Sequence, residues 1–139
     1  MTTFFLESTE KFHITRAGTE FTAWLGHKEI GRAFITIRGD SATLDAIDIY
    51  DQTDEKGPNY QRQGYGTKLM QYIAKYLKAT GIKTLHSSNE GSGTVQMLDR
   101  VFGRENVQHF HGGQNVSYDQ AVHVMDKLYG YTGSKVKIK

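Results

Sequence analysis

From Phe12 to Tyr50, apolar and polar residues alternate with a period of two, the pattern that sends successive side chains to opposite faces of a β-strand. Phe12 and Ile14 alternate with His13 and Thr15, Phe21, Ala23 and Leu25 with Thr22 and Trp24, and Ala33, Ile35 and Ile37 with Phe34 and Thr36. The breaks fall at Ala17-Gly18, Gly26-His27 and Gly39-Asp40-Ser41, short turn-forming segments that predict tight hairpins and an antiparallel meander. A further strand, Thr43 to Tyr50, follows the last turn. Residues 51 to 60 are polar and contain the only proline, Pro58, which predicts an exposed loop.

The period then changes. Between Thr67 and Thr80, Leu69, Met70, Ile73, Ala74 and Leu77 recur at helical spacing, Lys68, Lys75 and Lys78 fall elsewhere, and Gly81 supplies a stop. Ile82 to Ser87 reads as a short buried strand, and Thr94 to Phe102 as a second helix with Val95, Leu98, Val101 and Phe102 on one face. Ser117 and Gln120 form a capping box that opens a third helix, with Ala121, Val124, Met125 and Leu128 as its stripe. Tyr129 to Lys139 predicts a last edge strand or a frayed end. Strands first, then alternating strand and helix, predict an α+β domain (an α/β/α-like arrangement) with a mostly antiparallel central sheet flanked by helices. The 139 residues fit one domain, spanning 1–139.

Composition narrows the chemistry. The absence of cysteine excludes disulfides, Cys-based zinc, iron–sulfur clusters and a thiolate nucleophile. Met1 to Glu10 lacks a basic leader pattern, and no apolar run approaches the roughly 20 residues of a membrane span, so a cytoplasmic protein without a membrane partner is expected. The net charge of +2, with Lys135, Lys137 and Lys139 at the end, gives little pull on nucleic acid, which is not expected as a partner. His109 and His111 fall on one side of an extended segment, but with no cysteine and no evident carboxylate partner a metal is not expected.

The stretch Gln61-Arg62-Gln63-Gly64-Tyr65-Gly66-Thr67 lies between the polar loop and the strongest helix. Its glycines permit positive φ and close approach of a ligand, and the helix start adds unpaired N–H groups and the positive end of its dipole. Together these predict a pyrophosphate site. Gly66 is followed by Thr67-Lys68-Leu69, which matches neither a Walker loop nor a dinucleotide fingerprint.

Gln61-x-x-Gly64-x-Gly66 resembles the Gln/Arg-x-x-Gly-x-Gly/Ala motif by which GNAT acyltransferases hold the pyrophosphate of coenzyme A, and Leu69-Met70 and Tyr76 look like the histone-type members. By element order the resemblance covers residues 20 to 103, and in sequence detail 61 to 89. It implies acetyl-CoA as cosubstrate, no metal, and direct attack of a primary amine on the thioester, with the acceptor a protein or a small molecule; a homodimer is compatible with it. Carried onto this chain, it implies that Gln61, Arg62, Gln63, Gly64, Tyr65, Gly66 and Thr67 bind the pyrophosphate. It also implies that Ile47, Asp48 and Ile49 pair with the pantetheine arm and that Asn89 contacts it from the next strand.

Two departures from the family bear on function. The tyrosine that many members use to protonate the leaving thiolate is absent, with Leu98 or Asp99 in its approximate place. The helices that usually wall the acceptor site are also absent, since only Ala17-Gly18-Thr19 separates the first two strands. An open site implies a bulky acceptor, such as a protein lysine or N-terminus. Asp45, expected on the strand face of Ile47 and Ile49, is the candidate base; an ordinary solvent-facing carboxylate is the competing explanation. His86 could relay a proton, against a semi-buried structural role, and Tyr118 or Tyr50 could serve as the acid, against aromatic packing. The alternatives are an inactive GNAT-like module that binds a partner protein, and a toxin-type acetyltransferase acting on aminoacyl-tRNA.

Overall fold

The computed structural model describes residues 11–50, 64–88, 92–111, 114–116 and 132–139. Gln61, Arg62, Gln63, Asn89, Tyr118 and the helix expected from Ser117 lie outside the described residues.

The alternating segment forms the meander: β1 (Phe12–Ala17), β2 (Glu20–Leu25), β3 (Lys28–Arg38) and β4 (Ser41–Ile49) pair antiparallel in sequence order. Gly18, Gly26 and Gly39 take positive φ at the three hairpin turns, the conformation that only glycine adopts without cost. Helix α1 (Tyr65–Ala79) then crosses back, and β5 (Thr84–Ser88) pairs parallel to β4, as a crossover connection requires. Helix α2 (Ser92–Phe102) follows, then a 3₁₀ turn at Arg104–Asn106, the hairpin of β6 (Val107–His111) and β7 (Gln114–Val116), and β8 (Thr132–Lys137).

The strand order is β1-β2-β3-β4-β5-β8-β6-β7. The C-terminal strand is therefore no edge, as its place at the end of the chain had suggested: β8 pairs with both β5 and β6. Val136, fully buried, packs from it into the core. The sheet is mostly antiparallel and the fold is α+β, as the periodicity predicts.

One face of the sheet and the two helices share a single core: Phe21, Ala23, Ala33, Ile35, Ala42, Leu44, Leu85 and Val136 meet Leu69, Met70, Ile73, Leu77 and Leu98. Full burial of each large aliphatic side chain contributes about 1.5–3 kcal/mol. The opposite face carries exposed Arg32, Thr36, Thr43, Asp45, His86 and Lys135, and we call it the outer face.

Candidate active site

Helix α1 opens at Gly64, whose φ of 85° is the left-handed conformation, with no side-chain cap among the described residues and no acidic residue in the first turn. The first N–H groups of such a helix have no intrahelical partner, and its dipole makes the end electropositive. Around this mouth the packing is specific. A Cβ built on Gly66 would lie 3.6 Å from Cγ1 of Ile49 and 3.7 Å from Sδ of Met97, so α1 starts against the end of β4 and against α2. The Tyr65 ring stacks on Phe12 with centroids 5.3 Å apart. Arg100 of α2 donates from Nη1 to Thr67 Oγ1 at 3.0 Å, which brings a guanidinium to the first turn.

Beside the mouth the sheet opens. The parallel ladder of β4 and β5 runs from Ser41 and Thr84 to Leu44 and Ser87 and stops there, while β4 continues to Ile49 against β3. The stop coincides with a β-bulge: Ile35 pairs with Leu44 and Phe34 with Ala46, so Asp45 is an extra residue on β4. A bulge shifts the alternation by one position.

That shift corrects the expectation for Asp45. It does not share a face with Ile47 and Ile49: its carboxylate accepts a hydrogen bond from the Thr36 hydroxyl at 2.5 Å on the outer face, whereas Ile47 and Ile49 pack against the core. Asp48 is exposed, on the side opposite to Ile47. His86, read as semi-buried, is exposed beside Thr43, its partner in the ladder. Asp45 and His86 therefore stand on one face at the place where the ladder ends. Tyr50 is held elsewhere. Its hydroxyl donates to Glu29, and burial followed by that carboxylate pushes its pKa up to about 12.

A family model, that of the acetyltransferase (GNAT) family, matches residues 5–103. The chain belongs to the GNAT family.

No curated protein matches this GNAT chain. Solved structures do. The ribosomal-protein-S18-alanine N-acetyltransferase of Escherichia coli is 16% identical, with 89% of this chain and 72% of that one covered at a TM-score of 0.58. The IAA acetyltransferase of Bacillus cereus is 13% identical, covering 85% and 76% at 0.54. PaiA N-acetyltransferase of Thermoplasma acidophilum, solved with coenzyme A, is 15% identical, covering 85% and 59% at 0.53. At these identities the likeness is one of fold. Members of the family transfer an acetyl group to an amine.

The buried contacts among polar groups of this GNAT chain were not anticipated. Asp99, which with Leu98 was read at the approximate place of the family's tyrosine, is buried on α2, and its Oδ1 lies 3.0 Å from Nε2 of His109. Nδ1 of His109 lies 2.7 Å from Ser134 Oγ. His109 thus has the carboxylate partner that seemed missing, and both ring nitrogens are engaged within the protein. Among the described residues no group of three or more His, Cys, Asp or Glu is placed to hold a metal. A groove of about 560 Å³ lined by Lys83, Thr84, Lys135 and Lys137 lies at the other end of β5, away from the α1 mouth.

Proposed function

We propose that this GNAT chain is an acetyl-CoA-dependent N-acetyltransferase in which cosubstrate and acceptor meet from opposite faces of the sheet, where the β4–β5 ladder ends. The observation that carries the reading is the glycine-led start of α1 set against Ile49 and Met97, at the end of β4. Acetyl-CoA supplies a thioester open to attack by an amine. Its pyrophosphate suits the main-chain N–H groups from Gly64 to Thr67, with Arg100 adding charge. The motif adds Gln61, Arg62, Gln63 and Asn89, and the end of β4 from Ile47 to Ile49 offers backbone groups to the pantetheine arm.

The acceptor reaches the same place from the outer face. Among the described residues no helix lies over that face, since β1 and β2 are joined by the tight Ala17–Glu20 connection, and this favours the primary amine of a bulky acceptor, a protein lysine or N-terminus. Asp45 and His86, exposed there, take the proton from the incoming ammonium, a role that general bases of this kind fill at a gain of about 10²–10⁴ in rate. Holding the two reactants in line supplies the rest.

The test is calorimetric titration of coenzyme A into the full chain and into Gly64→Val. The variant keeps its fold by circular dichroism but loses affinity, since a β-branched residue cannot hold the left-handed conformation of the mouth. An unmodified chain that takes up no coenzyme A would overturn the reading.

A further inference from the structure

Four buried polar side chains form one row on the core face. Ser87 on β5 is 5% exposed, Ser134 on β8 3%, His109 on β6 4% and Asp99 on α2 8%, in a region otherwise packed with aliphatic groups. The registers align them: Ser87 pairs with Ser134, and Ser134 with His109. Directly opposed residues in antiparallel pairs have Cβ atoms about 4.5–5.5 Å apart; Ser87 and Ser134 are joined by register and not by a hydrogen bond, so passing a proton between them takes a turn of the Ser87 side chain. Two contacts at hydrogen-bond distance complete the row, Ser134 Oγ to His109 Nδ1 at 2.7 Å and His109 Nε2 to Asp99 Oδ1 at 3.0 Å.

Its two ends differ. At the far end Asp99 Oδ2 is buried with no hydrogen-bond partner among the described residues. Such an atom costs about 1–3 kcal/mol, more if charged, which argues against a row kept for stability alone. At the near end Ser87 is opposite Leu44, the last pair of the β4–β5 ladder. A mere core-filling row could stop anywhere. This one stops where the strands cease to pair, on the face that carries α1 and its mouth.

From this placement we infer that Ser87, Ser134, His109 and Asp99 form a proton path serving the leaving sulfur, replacing the tyrosine that this chain lacks. The inference rests on the cosubstrate reading above. The amine nitrogen bonds to the thioester carbon, the carbon–sulfur bond breaks, and the sulfur leaves with the electron pair. Ser87 gives its hydroxyl proton to that sulfur and takes one from Ser134, which takes one from Nδ1 of His109. The Asp99–His109 pair, left one proton poorer, regains it through solvent from the acceptor nitrogen, so protons balance over a turnover. Ser87 is the residue that touches the substrate; the other three act through it.

The experiment is long-range ¹H–¹⁵N spectroscopy of the His109 imidazole in the full labelled chain, assigned with His109→Gln, during titration with coenzyme A and with its desulfo analogue, which lacks only the sulfur. Both ligands bind, and only coenzyme A moves the Nδ1 resonance. In Ser87→Ala and Ser134→Ala coenzyme A still binds, within about threefold, or under 1 kcal/mol, and the resonance stays in place. Binding of coenzyme A that leaves the His109 signals of the unmodified chain as the desulfo analogue leaves them overturns the path and spares the cosubstrate reading. Failure of both ligands to bind overturns both.

Discussion

Gly31 of β3 is pressed against the main chain of β4: a Cβ on Gly31 would lie 2.5 Å from the Asp48 carbonyl oxygen and 2.6 Å from Cδ1 of Ile49. The contact fixes where the end of β4 runs, and the same Ile49 side chain lies beside Gly66 at the start of α1. Gly31→Ala must push backbone away from backbone, which costs about 1–3 kcal/mol by the usual penalty of overpacking. Urea unfolding reads that loss as a lower midpoint at unchanged slope. Because the displaced segment is the one proposed to meet the pantetheine arm, coenzyme A affinity falls in the same variant.

Arg100 is the cation that α2 lends to the α1 mouth through Thr67. If the mouth holds a pyrophosphate, Arg100→Ala weakens coenzyme A binding about tenfold, or about 1.4 kcal/mol, the lower end of what a charge-assisted hydrogen bond contributes. Calorimetry at low and high salt separates this from a packing defect: the difference between arginine and alanine shrinks as salt screens the exposed charge. An affinity equal to that of the unmodified chain at low salt removes Arg100 from the site.

Glu29 joins β3 to the end of β4 by accepting from Arg32 at 2.7 and 3.0 Å and from the Tyr50 hydroxyl. Its pKa is lowered, first by the Arg32 hydrogen bond and then by Tyr50, so its contribution to stability is present above the ordinary value of 4.5 and is lost as pH falls through the lower folded value. Tyr50 works in the opposite direction. With its pKa raised from 10.0 to about 12, its contribution is full below pH 10 and is lost as pH rises toward 12, because the unfolded chain gives up that proton first. Phenolate absorbance shows this: subtracting the titration of Tyr50→Phe from that of the unmodified chain leaves one group that ionises near 12. A difference curve centred near 10 contradicts it.

The meander was legible because its periodicity is strict and its turns fall at Gly18, Gly26 and Gly39; the start of α1 was legible because Gly64 and Gly66 stand before a clean apolar stripe. What escaped depends on pairing between distant segments. Nothing in Thr43-Leu44-Asp45-Ala46 announces a bulge, yet one extra residue against β3 moved Asp45 to the outer face. Ser87, Asp99, His109 and Ser134 are ordinary residues on four elements, and only the order β5-β8-β6 aligns them. The signal nearest to finding them was negative: the missing tyrosine pointed to Leu98 or Asp99, and two imidazoles without a visible carboxylate pointed to His109.

The outer face gives the sharpest kinetic expectation. Asp45 and His86 lie on neighbouring strands at the end of the ladder, across the sheet from the α1 mouth, and in the proposed function they act on the acceptor without touching the cosubstrate. Asp45→Asn and His86→Gln then lower kcat with a lysine-containing peptide acceptor by about 10²-fold, the lower range of what a positioned base contributes. Coenzyme A affinity stays the same in both. Asp45→Asn keeps a hydrogen-bond acceptor for Thr36, so unfolding midpoints should hardly move, which separates loss of a base from loss of the bulge. If only one substitution slows turnover, that residue is the base and the other is part of the sheet surface. If coenzyme A affinity falls with turnover in either variant, the two faces are not separate, and acceptor and cosubstrate share one side of the sheet.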